Sequence, residues 1–587
     1  MNVPIVSRVM MIVLFLSLVF YAVVLVIGSF FPFEWYTSYI TATTLKHKLL
    51  TRFTSEHYEA MLVRMRLIGL VLVFFAALTF GFRRYAMSRL DELWVSWRDL
   101  LQGWYRDIRA IVQEDRYYTA LLAVFTIAGL AVRLLYINQP MRIDESFTYN
   151  FHASQSWFTL ICVYLQPNHH LFHSNLVYVA SMILDGEPWV IRLPVFVFGT
   201  LLIPIIYFVI RRFFGRDVAI VTSGIVATSH IMILFSTNAR GYIILTFLFL
   251  LLLSTLYKLR TSESLARWTI FVALGILSAY TVPSALYPFV VVCTWFLLSV
   301  AVGDIQRPSK ELLRNFIISC VAIGIGTFLL YSPVIAISGT QPLYTDEFGN
   351  TYMSRDWHTF VSRLNVHVTK LRYTWHEGIS YVGMLTLMSG VVFSTIFHRR
   401  VANTRIPLLL AVVIGIVPIV LIQRVSPYDR TWLFLYPVYI SLAFAGLLYF
   451  AKPTPRNTLI LTTSGVFLVV AGLIPPPWIK IPLDLLSSDG DAAGVLSTHT
   501  REMMTDIRLL GVALVVLGIV ARWVTRYLSN HTFRFAYVGL IAVVISAWQG
   551  VNVIAQDTVY SSGATGTFRD ATPISGFSNV ALRTRLR

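Results

Sequence analysis

Trp268–Gly303 reads WTIFVALGILSAYTVPSALYPFVVVCTWFLLSVAVG, a run without a single charged residue. A helix needs about 20 apolar residues to cross the hydrocarbon core, so the run is too long for one passage. Pro283 lies near its middle, lacks an amide proton and marks the place where the chain turns back. The rest of the chain repeats this character. Of 587 residues, 56% are hydrophobic and 13% charged, about half the ~25% charged fraction of a soluble domain. The mean hydropathy is +0.69. Apolar stretches recur at 9–29, 64–82, 117–137, 191–210, 217–236, 241–257, 267–282, 284–302, 314–333, 379–397, 406–423, 430–450, 457–474, 508–523 and 534–553. The reading is an all-α polytopic membrane protein of about fifteen transmembrane helices, within a range of roughly thirteen to sixteen. The first stretch, Val9–Phe33, exceeds a ~7–15-residue signal-peptide core and reads as a membrane anchor.

The net charge of +18 invites a nucleic-acid reading, which the position of the charges removes. Arg83, Arg84, Arg211, Arg212, Arg216, Lys258, Arg260, Arg399, Arg400, Lys452, Arg456, Arg522 and Arg526 all fall in short connections on one side of the expected spans. That is the positive-inside pattern. It puts the N-terminus in the cytoplasm and the C-terminus outside, in a plasma (inner) membrane, and it leaves no nucleic-acid surface to explain. The segment 83–116 interleaves arginine with Trp94, Trp97 and Trp104 and reads as an amphipathic helix on the inner leaflet. Three cysteines make no disulfide framework.

The chemistry collects on the other side. The longer segments 30–63, 138–190, 334–378 and 475–507 all lie there. Asp144 and Glu145 follow the third span; adjacent carboxylates at a membrane helix end can act as a general base or hold a divalent ion or another cation, or simply be solvated. His169, His170 and His173 come next, and His170 and His173 share one face of a helix over 168–184 that lies at the interface. Arg240 and Tyr242 close the fifth span, and Asp429 and Arg430 sit in a later loop between apolar stretches. Arginine presents a planar fork suited to phosphate. Together these groups suit a substrate with an anionic head on a lipid tail. The carboxylate would deprotonate an acceptor and an arginine would stabilise a departing phosphate.

In order and spacing, Arg142–Ser146, Pro167–His173, Trp189–Pro194, Arg211–Arg216 and Ser236–Tyr242 resemble the GT-C membrane glycosyltransferases. More specifically they are similar to the dolichyl-phosphate-mannose–protein mannosyltransferase-like superfamily, in its bacterial polyprenyl-phosphate-sugar-dependent form. The resemblance covers about 117–450. It implies a GT-C-like fold with outer interfacial helices and transfer of a hexosyl or pentosyl group. The donor would be a polyprenyl-phosphate sugar and the acceptor an exported envelope glycan, lipid or protein. It implies Asp144 and Glu145 as catalytic residues, and His170, His173, Arg240, Tyr242, Asp429 and Arg430 as substrate-binding residues. Three features depart from the pattern: two spans and the basic loop 83–116 precede the core, His169-His170-Leu171 stands where members often have His-Pro-Pro, and the outer region after 475 reads without an obvious separate globular domain. The domain reading is therefore 1–116 as a two-span extension with a basic loop, 117–450 as the catalytic core and 451–587 as C-terminal spans with an extracytoplasmic tail. A flippase or transporter of a lipid-linked substrate is the rival reading, with a non-catalytic envelope-assembly protein on the same fold as a third. No clear internal repeat supports a transporter.

Overall fold

The computed structural model describes residues 3–43, 53–164, 169–184, 186–305, 310–344, 356–377, 379, 381–450 and 531–555. Among them all regular structure is helical. In chain order the helices are α1 (Val3–Gly28), α2 (Phe33–Thr43), α3 (Ser55–Gly81), α4 (Arg83–Glu114), α5 (Arg116–Tyr136), α6 (Ile143–Thr148), α7 (Trp157–Cys162), α8 (Leu171–Leu184), α9 (Pro188–Phe214), α10 (Arg216–Thr228) and α11 (His230–Ser236). They continue as α12 (Tyr242–Leu259), α13 (Leu265–Thr281), α14 (Leu286–Ala301), α15 (Lys310–Ile337), α16 (Trp357–Trp375), α17 (Tyr381–Ile396), α18 (His398–Val401), α19 (Leu408–Gln423) and α20 (Tyr436–Phe450). The last described helix is His531–Ala555.

The chain is a multi-pass membrane protein. Among the described residues, eight helices are long and apolar enough to cross a bilayer, or nine if the bent pair α10–α11 is one span. Shorter apolar helices occupy the expected stretches at Leu265–Thr281, Gly383–Ile396, Leu408–Gln423 and Phe535–Val551. The stretches expected at 457–474 and 508–523, and the segment 475–507, lie outside the described residues. The uncharged run folds as its proline demands. α13 ends at Thr281, one 3₁₀ turn spans Pro283–Ala285, and α14 leaves from Leu286.

α5, α9, α10, α12, α13, α14, α19 and α20 share one apolar core. α1 and α3 form a smaller cluster, through Ala22, Met61 and Leu72, that meets the body at Ala336 of α15. α17 and α20 approach backbone to backbone: a Cβ on Gly446 would collide with the Gly390 carbonyl oxygen. Small residues permit that approach where lipid leaves no hydrophobic drive between helices.

Two buried charges explain local shape. α10 and α11 meet at a 61° break, which frees carbonyls at the end of α10. Arg133 of α5, fully buried, donates to the carbonyls of Ala227 at 2.8 Å and Val226 at 3.4 Å. The break delivers α11 and the segment 237–241 toward α6. At the far end of α9, Asp115 is buried and accepts from Arg211 at 2.6 Å, Arg216 at 3.0 Å and Tyr207 at 3.1 Å. Some arginines of the basic connections therefore also lock α5, α9 and α10 together.

Candidate active site

α6 is a six-residue turn whose start is set by Glu145. That side chain reaches back to the Arg142 backbone N–H at 3.0 Å, satisfying a donor that the helix start would otherwise orphan. Glu145 then does much more. Arg192 of α9 donates to it twice, Nε to Oε1 at 2.9 Å and Nη2 to Oε2 at 2.8 Å. The Ala239 N–H donates to Oε1 at 2.6 Å. The carboxylate is 0% exposed and accepts four hydrogen bonds. Arg192 spends its remaining donors on the carbonyls of Ile137 at 2.8 Å, Gln139 at 2.6 Å and Pro140 at 3.1 Å. Gln139 extends the net to the Thr237 carbonyl at 3.0 Å. One buried ion pair thus ties the end of α5, the start of α6, α9 and the segment 237–241 into one unit. Glu145 has no capacity left for a substrate proton, so the geometry places it in the scaffold.

Asp144 precedes it on the same turn and faces another way. Its side chain is 40% exposed, and its Oδ2 meets Arg240 Nη1 at 3.0 Å and Arg430 Nη1 at 3.3 Å. Arg240 is nearly fully buried and Arg430 is 35% exposed. Arg240 also approaches the Tyr242 hydroxyl at 3.5 Å and stands over the Tyr242 ring.

His170 is the third party. The Gly241 N–H donates to its Nδ1 at 2.8 Å, and burial, reinforced by Arg240, drives its pKa well below the ordinary imidazole value. A neutral ring that accepts at Nδ1 carries its proton on Nε2. That Nε2 lies 3.4 Å from Arg240 Nη2. Two donors converge there, an arrangement that an anionic oxygen would complete. The backbone can approach His170 this closely because residue 241 is glycine: a Cβ would stand 2.9 Å from His170 Nδ1 and 2.7 Å from Thr281 Cγ2.

The expected residues therefore separate. Asp144, His170, Arg240, Tyr242 and Arg430 come together. His173 is fully buried in α8 behind them. Asp429 turns from its neighbour Arg430 toward Lys370 of α16, at 3.8 Å. His152, which the sequence reading passed over, stacks on His169 with ring centroids 3.6 Å apart, both buried. Burial lowers the pKa of His152 and His173 to about 3. Arg192 appeared only as part of a motif; its place before the membrane-embedded run of α9 was its one signal. Among the described residues no group of three or more His, Cys, Asp or Glu side chains could hold a metal ion.

Residues 168–323 match the family model described as dolichyl-phosphate-mannose-protein mannosyltransferase. The matched segment carries His170, His173, Arg192, Arg240 and Tyr242, and the resemblance stated from the sequence is upheld there. No curated protein matches the chain. Among solved structures it is similar to ArnT from Cupriavidus metallidurans in the apo state, at 15% identity over 76% of this chain and 78% of that one, with a TM-score of 0.44. The same protein bound to undecaprenyl phosphate aligns at 14% identity over 75% and 79%, with a TM-score of 0.43. Arabinosyltransferase EmbB from Mycobacterium smegmatis aligns at 13% identity over 85% of this chain and 45% of that one, with a TM-score of 0.39.

Proposed function

We propose that the chain is a membrane glycosyltransferase of the GT-C type. It moves a hexosyl or pentosyl group from a polyprenyl-phosphate-linked donor to an exported glycan, lipid or protein on the extracytoplasmic face. The observation that carries the reading is the half-exposed Asp144 gripped on one oxygen by Arg240 and Arg430, beside the Nε2 donor of His170. The family match over 168–323 supports it. The orientation rests on the side chosen by the arginines of the short connections.

In this mechanism the donor phosphate docks against Arg240, Arg430 and the His170 Nε2–H. Each guanidinium has donors enough to serve both phosphate and carboxylate. The acceptor hydroxyl gives its proton to the Asp144 carboxylate as its oxygen bonds to the anomeric carbon. The bond from that carbon to the phosphate oxygen breaks, and its electron pair leaves on the polyprenyl phosphate. The cations stabilise the charge that develops there, the term that dominates many such reactions. Direct displacement inverts the anomeric centre. Glu145 and Arg192 hold Asp144 and the 237–241 segment in register.

The test is transfer by purified protein from labelled polyprenyl-phosphate sugars to envelope extracts, with Asp144→Asn as control. Loss of a general base lowers the rate about 10²–10⁴-fold. Equal transfer by both proteins removes Asp144 from the chemistry. Lipid scrambling in liposomes without transfer from any donor selects the flippase reading instead.

A further inference from the structure

α16 carries a basic face that the donor site does not use. Arg363, His367 and Lys370 are spaced four and three residues apart, so they lie on one side of the helix. That side is turned to the segment 424–430. Lys370 Nζ is 3.8 Å from Asp429, and the His367 ring stands edge-on to Tyr428 with centroids 4.9 Å apart. The Ser426 hydroxyl donates to the Phe360 carbonyl at 3.2 Å and fastens the two segments. Burial lowers the pKa of His367, with Lys370, Arg363 and Arg430 acting in the same direction against Asp429, so its ring is a neutral member of this face near pH 7. At the start of α16 the Arg424 guanidinium lies 5.0 Å over the Trp357 ring. Arg424 holds a left-handed backbone, φ +50°, alone among the described non-glycine residues. It is the C-cap of α19, its N–H bonding the Val420 carbonyl, and the left-handed turn sends the chain into the segment 424–430.

The result is a row of three cations, Arg363, Lys370 and Arg424, with the neutral His367 and the acid Asp429 among them, continuous with Arg430 and so with Asp144. Lys370 is 60% exposed and Arg363 is exposed. The donor phosphate is served by Arg240, Arg430 and His170, and Lys370 and Arg363 are more exposed than any of them. The bilayer is the other anionic surface at hand, but Lys370 and His367 are turned to Asp429 and Tyr428, while exposed Val361 and Val368 lie on the opposite side of α16 together with Arg372. Its basic face looks inward at the reaction centre. We propose that Arg363, His367, Lys370 and Arg424 form the docking rim for an acceptor that carries phosphate or carboxylate groups near its reacting hydroxyl. The proposal rests on the glycosyltransferase reading and narrows its acceptor to an anionic one.

The experiment uses the full chain in nanodiscs. Two dye-labelled glycans of equal length serve as probes, a polygalacturonate oligomer and a neutral dextran oligomer. The wild type binds the anionic oligomer more tightly, with an affinity that falls as salt rises. Removing two exposed cations in R363Q/K370Q weakens that binding about tenfold, while polyprenyl phosphate binding is unchanged. Equal affinity for both glycans overturns the proposal, as does a double variant that binds the anionic oligomer like wild type. Anionic phospholipid that co-purifies with wild type and is lost in the double variant, with glycan binding intact, assigns the rim to the bilayer and also overturns it. Donor binding and transfer are read separately on Arg240→Gln and Asp144→Asn. Wild-type transfer that is absent, or that is undiminished in both variants, with the anionic-glycan preference intact sinks the transferase reading alone. Transfer lost in the variants with no anionic-glycan preference in the wild type sinks the rim alone.

Discussion

Replacing Glu145 with Gln keeps the shape of the side chain and removes the charge at the centre of the scaffold. In the native protein the carboxylate receives two donors from Arg192 and one each from Arg142 and Ala239, with neither member of the ion pair exposed. A neutral amide must aim its NH₂ at one of these donor pairs, so at least one hydrogen bond becomes a donor–donor clash. Arg192 keeps its three carbonyl partners but loses its counter-charge in a dry site. Breaking a buried pair from one side costs about 3–5 kcal/mol. Asp144→Asn costs less stability, because that side chain is half-exposed and Arg430 is partly so, although the buried Arg240 loses its counter-charge. The cost falls between that of a surface pair, about 0–1 kcal/mol, and that of a fully buried one. Thermal unfolding in one detergent and transfer activity then separate the two carboxylates. Glu145→Gln lowers thermal resistance sharply and loses activity with the folded fraction. Asp144→Asn stays folded with a smaller loss of thermal resistance and transfers about 10²–10⁴-fold more slowly. An Arg192→Met/Glu145→Met double variant recovers part of the stability, since no uncompensated charge is left. A Glu145→Gln protein that unfolds like wild type yet fails to transfer would refute the scaffold assignment and return Glu145 to the chemistry.

Gly241→Ala forces a methyl against Thr281 and His170, at 2.7 Å and 2.9 Å from the nearest atoms; polyprenyl phosphate binding, measured by fluorescence quenching, weakens about tenfold or more as the His170 hydrogen bond opens. Acid pH destabilises the site. His152 and His173 bind a proton near pH 3 when folded and near ~6.5 when unfolded, so between those values the unfolded chain holds more protons. Stability is present above about 6.5 and falls with pH by up to ~1.4 kcal/mol per unit for each histidine. Unfolding temperature measured from pH 7.5 to 5 shows this slope, and His152→Gln flattens it; a wild-type profile level over that range disproves the linkage.

Much of the fold was legible because lipid makes periodicity and length unusually informative. A backbone in hydrocarbon must bond to itself, so each uncharged stretch near 20 residues becomes a helix. Pro283 fell where α13 turns into α14 for the reason a missing amide suggests. Asn168-His169-His170 and the apolar run beyond them were read as an interfacial helix from the charges of the flanking loops, and α8 begins at Leu171. The break between α10 and α11 was not legible. No proline or glycine marks Thr228-Ser229, and the carbonyls freed there are satisfied by Arg133, 94 residues earlier in the chain.

Asp144 and Glu145 mark the limit of a linear reading. They share side-chain chemistry, adjacent positions and one helical turn. Successive residues on a helix point about 100° apart, and everything that distinguishes these two follows from what each direction meets. Toward Glu145 stand Arg192, 47 residues away, and the Ala239 amide, 94 residues away. They close around it and exclude water. Toward Asp144 stand Arg430, 286 residues away, and Arg240, across a gap that stays half-open. A carboxylate saturated by four donors has no lone pair to offer a proton. A half-exposed carboxylate held through one oxygen by two cations can trade part of that grip when a phosphate arrives to compete for the same guanidinium groups. Donor binding would then loosen the hold on the base at the step where the acceptor needs it. On the proposed reading the order of events would be phosphate first, acceptor second, with Asp144 effective only once the leaving group is in place.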